Sequence, residues 1–529
     1  MRRNQDTRIS QRYHRISKQS RSRTPAKSYG VDWDADWRQT KSYRLAERVL
    51  LNPPGENFIG SSALSLLSST VEGEDGAERL CDDGLASLLY LGYGVTGSRS
   101  HGSAIYRLRA APSAGAVYPT EVYLIAGDFG VLPAGVYHFS PEDCSLELLR
   151  EGDWRGEVAS ICPEGEKGVG KFYLAFTSMC RRAEKRFGTP AYRYCLLDGG
   201  HVIGNFLALL DGLGCPAGLK GSFDDGRLYD LLGVRREEEA ILAVLQIGGE
   251  ECAAGCPILS EEEETGGGGE AIQVPERNGR ERSTALRIHG AGSSKPGKGR
   301  AGGGPRAAPR NDVSPSRASA RSLCITEHLL TRLDKADIGE VLGSRRTTRR
   351  FTKGGLTKAE LAVLTASCAV PYDADWLESP KNKDGIDFFE QVELFVAVRN
   401  MRSLEGGIYR CDGTGGGLAR MDGGGTGEEM VEICMGQSAA AEASAVFFIA
   451  PRLSGYLERF GNRGYRYAGM HAGIIGERIY LASTALGLGV SGIAGLDDDL
   501  ANRLCGVDGA ETAVMYALAV GRPVKKGKD

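Results

Sequence analysis

Apolar and polar positions fall into blocks along this chain, and the blocks come twice. The runs from Glu121 to Ala126 and from Glu393 to Val398 are apolar and β-branched enough for buried strands. Gly200 to Leu213 and Ala472 to Leu486 are too long for strands and predict buried helices. Ile241 to Ile247 and Ala513 to Val520 predict closing core strands. Between the two sets, residues 260–321 lose almost every large apolar side chain. They carry Glu261 to Glu264, Gly266 to Gly269 and a Gly/Pro/Ser/Arg stretch instead. Such a segment cannot bury enough surface to offset its ordering entropy, which predicts a flexible linker.

The two sets are in register. Arg186-Phe187-Gly188 and Tyr192-Arg193-Tyr194 recur as Arg459-Phe460-Gly461 and Tyr465-Arg466-Tyr467, at an offset of 273 residues. The same offset relates Asp224-Asp225 to Asp497-Asp498, and Ile247-Gly248 to Val520-Gly521. Chance does not hold one register over so long a stretch, so the chain reads as a duplicated domain. Helices mixed with mostly antiparallel strands give the class α+β. The expected division is a basic tail at 1–30, a first domain at 31–259, the linker at 260–321 and a second domain at 322–529.

Composition narrows the partners. Net charge is −3 and 41% of residues are hydrophobic, which fits a globular protein with no whole-chain attraction to nucleic acid. No apolar run reaches the ~20 residues of a membrane helix. The N-terminal Arg/Lys cluster lacks a signal peptide's apolar core; it reads as a solvated tail, with a polyanion-binding arm as the sharper alternative. The 13 cysteines are scattered, which predicts free thiols in a reducing cytoplasm and no metal site.

Several segments resemble the SagB/ThcOx-type branch of the nitroreductase superfamily. They are Tyr13 to Lys18, Leu88 to Gly97, Arg109 to Pro119, Gly135 to Phe139 and Asp198 to Asn205; Ser344 to Phe351 is similar to the opening of ordinary nitroreductases. The resemblance implies a nitroreductase-like fold whose two copies form an intrachain pseudo-dimer, with FMN held where they meet. It also implies a flavin-dependent oxidoreductase acting on a small molecule or peptide, in the SagB-like case by oxidising an azoline to an azole. An NAD(P)H-dependent reductase of nitro compounds or quinones, and a non-catalytic flavin-binding scaffold, are the alternatives.

A flavin mononucleotide needs a cationic clamp, backbone donors at its ring edge and an apolar wall. Arg345, Arg346 and Arg349 are candidates for the clamp, since guanidinium meets phosphate oxygens two at a time, and Thr347 adds a hydroxyl. Pro112, Ser113, Ala114 and Gly115 form a stiff, small-residue segment that lets backbone approach a planar ligand. The first half has this segment without the arginine opening; the second has the opening without the segment. One composite site is therefore expected, completed by Ser491, Gly492, Ile493 and Arg522. Its mirror, near Thr96, Arg99 and Gly218, is expected to be degraded. Arg109 is the alternative phosphate holder. The resemblance implies a Lys-Tyr pair as the proton-abstracting base, but this chain carries Arg186-Phe187 there. Lys185, Tyr194 and His201 remain as catalytic candidates.

Overall fold

The computed structural model describes residues 6–20, 40–52, 61–68, 80, 82–101, 104–130, 132–162, 168–248, 283–293, 320–377, 391–401, 403–413, 415–421 and 424–524. Two seven-stranded sheets organise it. The first joins β1 (Arg48–Leu50), β4 (Thr120–Ala126), β5 (Gly135–Ser140), β6 (Ser145–Glu151), β7 (Phe172–Ser178), β8 (Ala217–Lys220) and β9 (Ala240–Ile247) in the order β1-β6-β5-β4-β7-β9-β8. The second joins β10 (Ala320–Ser322), β11 (Val392–Val398), β12 (Gly407–Cys411), β13 (Gly417–Arg420), β14 (Ala445–Pro451), β15 (Gly489–Ile493) and β16 (Tyr516–Gly521) in the order β10-β13-β12-β11-β14-β16-β15. The two orders are the same path walked twice. A separate ribbon pairs β2 (Val95–His101) with β3 (Ala104–Arg109). Every pairing within the sheets is antiparallel.

Strand register carries the sequence offset into space. Phe172 pairs with Ile247 as Ala445 pairs with Val520, and Phe176 pairs with Ala243 as Ile449 pairs with Tyr516. The central strands β4, β7, β9, β14 and β16 are buried on both faces, which explains their unbroken apolar runs.

Between the sheets lie two long helices, α5 (Ala191–Leu213) and α14 (Arg463–Ala485). They cross at Gly200 and Gly473, where each glycine's missing Cβ makes room for the other backbone. A Cβ on Gly200 would meet the Met470 carbonyl, and one on Gly473 would meet the Leu197 carbonyl and lie 2.9 Å from the Gly200 Cα. One continuous apolar core therefore runs from Tyr13 through α5 and α14 to Val520, and a smaller core lies on the outer face of each sheet.

The repeated polar motifs stitch the seam between the halves. Asp224 and Asp497 cap α6 (Asp225–Leu232) and α15 (Asp498–Leu504). The next residue of each pair, buried, holds an arginine of the other half: Asp498 takes Arg193 at 2.6 Å, and Asp225 takes Arg463. Breaking such a buried pair on one side leaves an uncompensated charge.

Two segments depart from the expected tail and linker. Residues 6–20 are not a solvated tail: α1 (Arg8–Ser17) buries Ser10, Tyr13, His14 and Ser17. Its Ser10 and His14 reach Asn462, Tyr465 and Gly509 of the second half. Within the expected linker, Ser283 caps α7 (Thr284–Ala291), whose His289 contacts Tyr192 of the first half at 3.2 Å. Tyr192 and Tyr465 are 273 residues apart, so α1 and α7 are equivalent arms, each laid on the opposite half. Apart from 283–293, 320 and 321, the expected linker lies outside the described residues, as do 1–5 and 21–30 of the expected tail.

Candidate active site

A cavity of about 240 Å³ opens on the seam. The first half lines it with Pro112, Ser113, Ala114, Gly115, Phe187, Tyr194, Leu197, Asp198 and His201. The second half contributes Thr347, Arg349, Gln437, Tyr480, Gly492, Ala494, Gly495 and Tyr516.

The Pro112–Tyr118 turn is bent by backbone few residues adopt: Gly115, Ala116 and Tyr118 have φ of 58°, 55° and 48°. Non-glycine residues at positive φ persist only where the surroundings over-determine them, and they cluster at ligand sites. Here the surroundings are visible. The Asp198 carboxylate accepts the Ser113 hydroxyl at 2.6 Å and the Ala114 amide at 3.1 Å; Ser113 Oγ in turn accepts the Tyr118 amide at 2.8 Å. Arg182 of α4 (Cys180–Phe187) donates to the Tyr118 carbonyl at 2.6 Å and is anchored on buried Glu121. Burial pushes the Asp198 carboxyl up to about 6.

The opposite wall comes from α14 and β16. His201 lies between Glu477, at 2.5 Å from its Nδ1, and the Tyr516 hydroxyl, at 2.9 Å from its Nε2. The Tyr480 hydroxyl accepts the Gly492 amide at 2.7 Å and is 3.3 Å from Thr347 Oγ1. Burial holds the phenols of Tyr480 and Tyr516 above their usual range and pushes Tyr194 up to about 12.

Of the expected residues, Pro112, Ser113, Ala114, Gly115, Tyr194, His201, Thr347, Arg349 and Gly492 meet in this cavity. Others do not line it. Lys185 is exposed on α4. Arg109 is buried between the rings of Tyr93 and Tyr118, 4.4 and 5.0 Å from their centres. Ser491 and Ile493 face the core on either side of Gly492. Arg522 is bound to Glu360 at 2.7 Å. Arg346 spends its guanidinium on Thr96 and nearby carbonyls. Arg345 donates to the Ala110 carbonyl at 2.5 Å and lies over the Tyr480 ring. Asp198 stood in the sequence only as part of a resembling segment, without a role, and Glu477, Tyr480 and Tyr516 went unnoticed. The signal was there for two of them: an acid inside an apolar helical run must find a partner when buried.

Two guanidinium groups at this cavity are placed to meet an anionic group. Buried Arg345 keeps one guanidinium nitrogen, Nη1, without a hydrogen-bond partner beside the cavity wall. Arg349 lines the cavity, exposed, with no ion pair among the described residues. Among those residues no cluster of His, Cys, Asp and Glu is arranged to hold a metal ion.

The mirror position is filled. Tyr467, counterpart of Tyr194 at the 273-residue offset, is stacked under Trp376 at 4.7 Å and 10°. His471, counterpart of Asp198, packs against Tyr372 at 5.7 Å. Leu219, counterpart of Gly492, is bridged to Ala374, and Gly218 faces Asp373. Residues 372–376 thus occupy the space that the cavity leaves open on the other side.

Residues 422–522 match the profile of the nitroreductase family. A protein of Methanocaldococcus jannaschii, named as a candidate nitroreductase, is 27% identical over 152 residues, 28% of this chain and 73% of that one. The trifolitoxin-processing protein TfxB of Rhizobium leguminosarum biovar trifolii is 31% identical over 105 residues, 18% of this chain and 28% of that one. The crystal structure of a candidate nitroreductase from Anabaena variabilis superposes with a TM-score of 0.71 at 24% identity, covering 98% of this chain and 99% of that one. Among the described residues no helix is long and apolar enough to cross a membrane. The molecule has the α+β nitroreductase fold in two facing copies, with a nitroreductase-family region at residues 422–522.

Proposed function

We propose that this chain is an FMN-dependent oxidoreductase with one composite site, built from two tandem copies that begin at their opening arms, α1 and α7. The observation that carries the reading is the convergence in one cavity of the strained Pro112–Tyr118 turn from one half with Thr347, Arg349 and Gly492 from the other. Arg349 and the spare donor of Arg345 would hold the phosphate, and the turn's backbone and the Gly492 region would border the ring. A bound flavin would supply two-electron chemistry; the protein positions it and manages the proton.

The substrate reading is dehydrogenation of a modified peptide or related small molecule. The name of the trifolitoxin-processing relative supports it, although the likeness covers a short part of that protein. One observation favours the reverse reading, a reductase of quinones or nitro compounds. The cavity carries protonated phenols at Tyr194, Tyr480 and Tyr516, better suited to giving a proton than to taking one.

Titration with FMN, followed by quenching of flavin fluorescence, tests the site. Arg349→Ala should weaken binding about 10- to 100-fold, the worth of a charge-assisted phosphate contact. An unchanged dissociation constant would remove Arg349 from the clamp. Anaerobic bleaching of the bound flavin by NADH would favour the reductase; bleaching by an azoline peptide would favour the dehydrogenase.

A further inference from the structure

Three residues, two of them at the cavity wall, form a chain that the other half lacks. Glu477 comes from α14, His201 from α5 and Tyr516 from β16; each is at least 95% buried. Glu477 Oε2 lies 2.5 Å from His201 Nδ1, and His201 Nε2 lies 2.9 Å from the Tyr516 hydroxyl. The 273-residue offset places Gly204 opposite Glu477, Ile474 opposite His201 and Ala243 opposite Tyr516. A seam contact needed for folding would have no reason to be absent from the matching seam. This chain stands only on the side where the cavity is open, and it ends at that cavity's wall.

Its order fixes its chemistry. With Glu477 as acceptor, His201 carries its hydrogen on Nδ1 and turns the Nε2 lone pair to Tyr516. The phenol then donates to Nε2, and its oxygen lone pairs remain for the cavity. Asp198 is worse placed for proton transfer, because both its oxygens are engaged by Ser113 and Ala114 in holding the turn.

We propose that Tyr516, backed by His201 and Glu477, is the group that exchanges a proton with the molecule bound in the cavity, in place of the missing Lys-Tyr pair. The proposal rests on the flavin reading for the electrons alone. In the oxidising direction a substrate C–H breaks and its proton goes to the Tyr516 oxygen. The phenolic proton moves to His201 Nε2, and the imidazolium is held by Glu477. A second substrate hydrogen leaves with its electron pair, as hydride, to the two-electron acceptor, so that two hydrogens are removed and one double bond forms. In the reducing direction the same protons run back: Tyr516 gives its proton to the reduced substrate and recovers one from His201. Burial holds the Tyr516 phenol protonated, with Tyr480 and Glu477 on α14, Asp198 on α5 and Arg345 as its charged or titratable neighbours.

Two readouts test this in the full chain. In protein labelled with ¹⁵N histidine, nitrogen spectra should show His201 protonated at Nδ1 and bare at Nε2, and Glu477→Gln should disturb that tautomer. This needs no cofactor, so it stands even if FMN does not bind. In FMN-loaded protein, reoxidation of the reduced flavin by menadione should slow about 100-fold in Tyr516→Phe and in His201→Asn. The pH dependence of that step should vanish in His201→Asn, while the FMN dissociation constant moves less than about threefold. A proton on Nε2, or reoxidation as fast as wild type in both variants, overturns the relay. Loss of FMN binding in the wild type overturns the flavin reading instead.

Discussion

Asp198 shows how one side chain sets the shape of the site. It lies in a largely apolar helix, 6% exposed, and its two oxygens hold the turn that gives the cavity its floor. Burial raises its pKa from 3.8 to about 6. The folded state therefore binds a proton that the unfolded chain releases between those values, and stability falls as pH rises through that window. Asp211, also raised to about 6, acts in the same window. Asp198→Asn should flatten this fall, seen as a smaller difference between urea midpoints measured near pH 4 and near pH 7. An undiminished difference would mean that Asp198 is not the buried acid described. The arginines show the limit of reading single residues. The cluster at Arg345 to Arg349 was legible as a cationic feature of the site. Which guanidinium faces the cavity was not, because each binds whichever carbonyl the fold brings near: Ala110 for Arg345, Thr96 for Arg346, and for Arg349 none among the described residues.

At the scale of elements, the paired helices were legible and their crossing was not. Apolar runs at Gly200 to Leu213 and Ala472 to Leu486 announced α5 and α14. That Gly200 and Gly473 touch depends on a partner helix 273 residues away. Gly473→Leu should lower stability by about 3 kcal/mol, because the new side chain meets backbone that cannot swing aside. Gly455→Leu, where nothing lies within 4 Å of a Cβ, should cost far less. Equal losses in thermal unfolding would contradict the close crossing. The arm α7 stayed hidden for a different reason. Eight residues flanked by low-complexity sequence carry too weak a period to announce a helix. Ser283 at the cap position is the cue that could have found it.

The whole molecule is a two-fold arrangement that has lost its symmetry at the cavity. Both sheets keep one strand order, both arms cross to the opposite half and both Tyr-Arg-Tyr motifs join the seam. The sequence made this frame legible, because the repeat survives in the residues that build the core. The agent of the asymmetry was not legible. Trp376 and Tyr372 gave no sign of direction in the sequence, and only the structure puts them on Tyr467 and His471. Fusion keeps the halves together at any protein concentration, so one half can specialise in the site and the other in support. The number of FMN molecules bound per chain, measured by titrating apoprotein of known concentration with FMN, tests this account most directly. The account predicts one. Two would mean that the place held by Trp376 and Tyr372 is a second site, and none would remove the flavin from the cavity altogether.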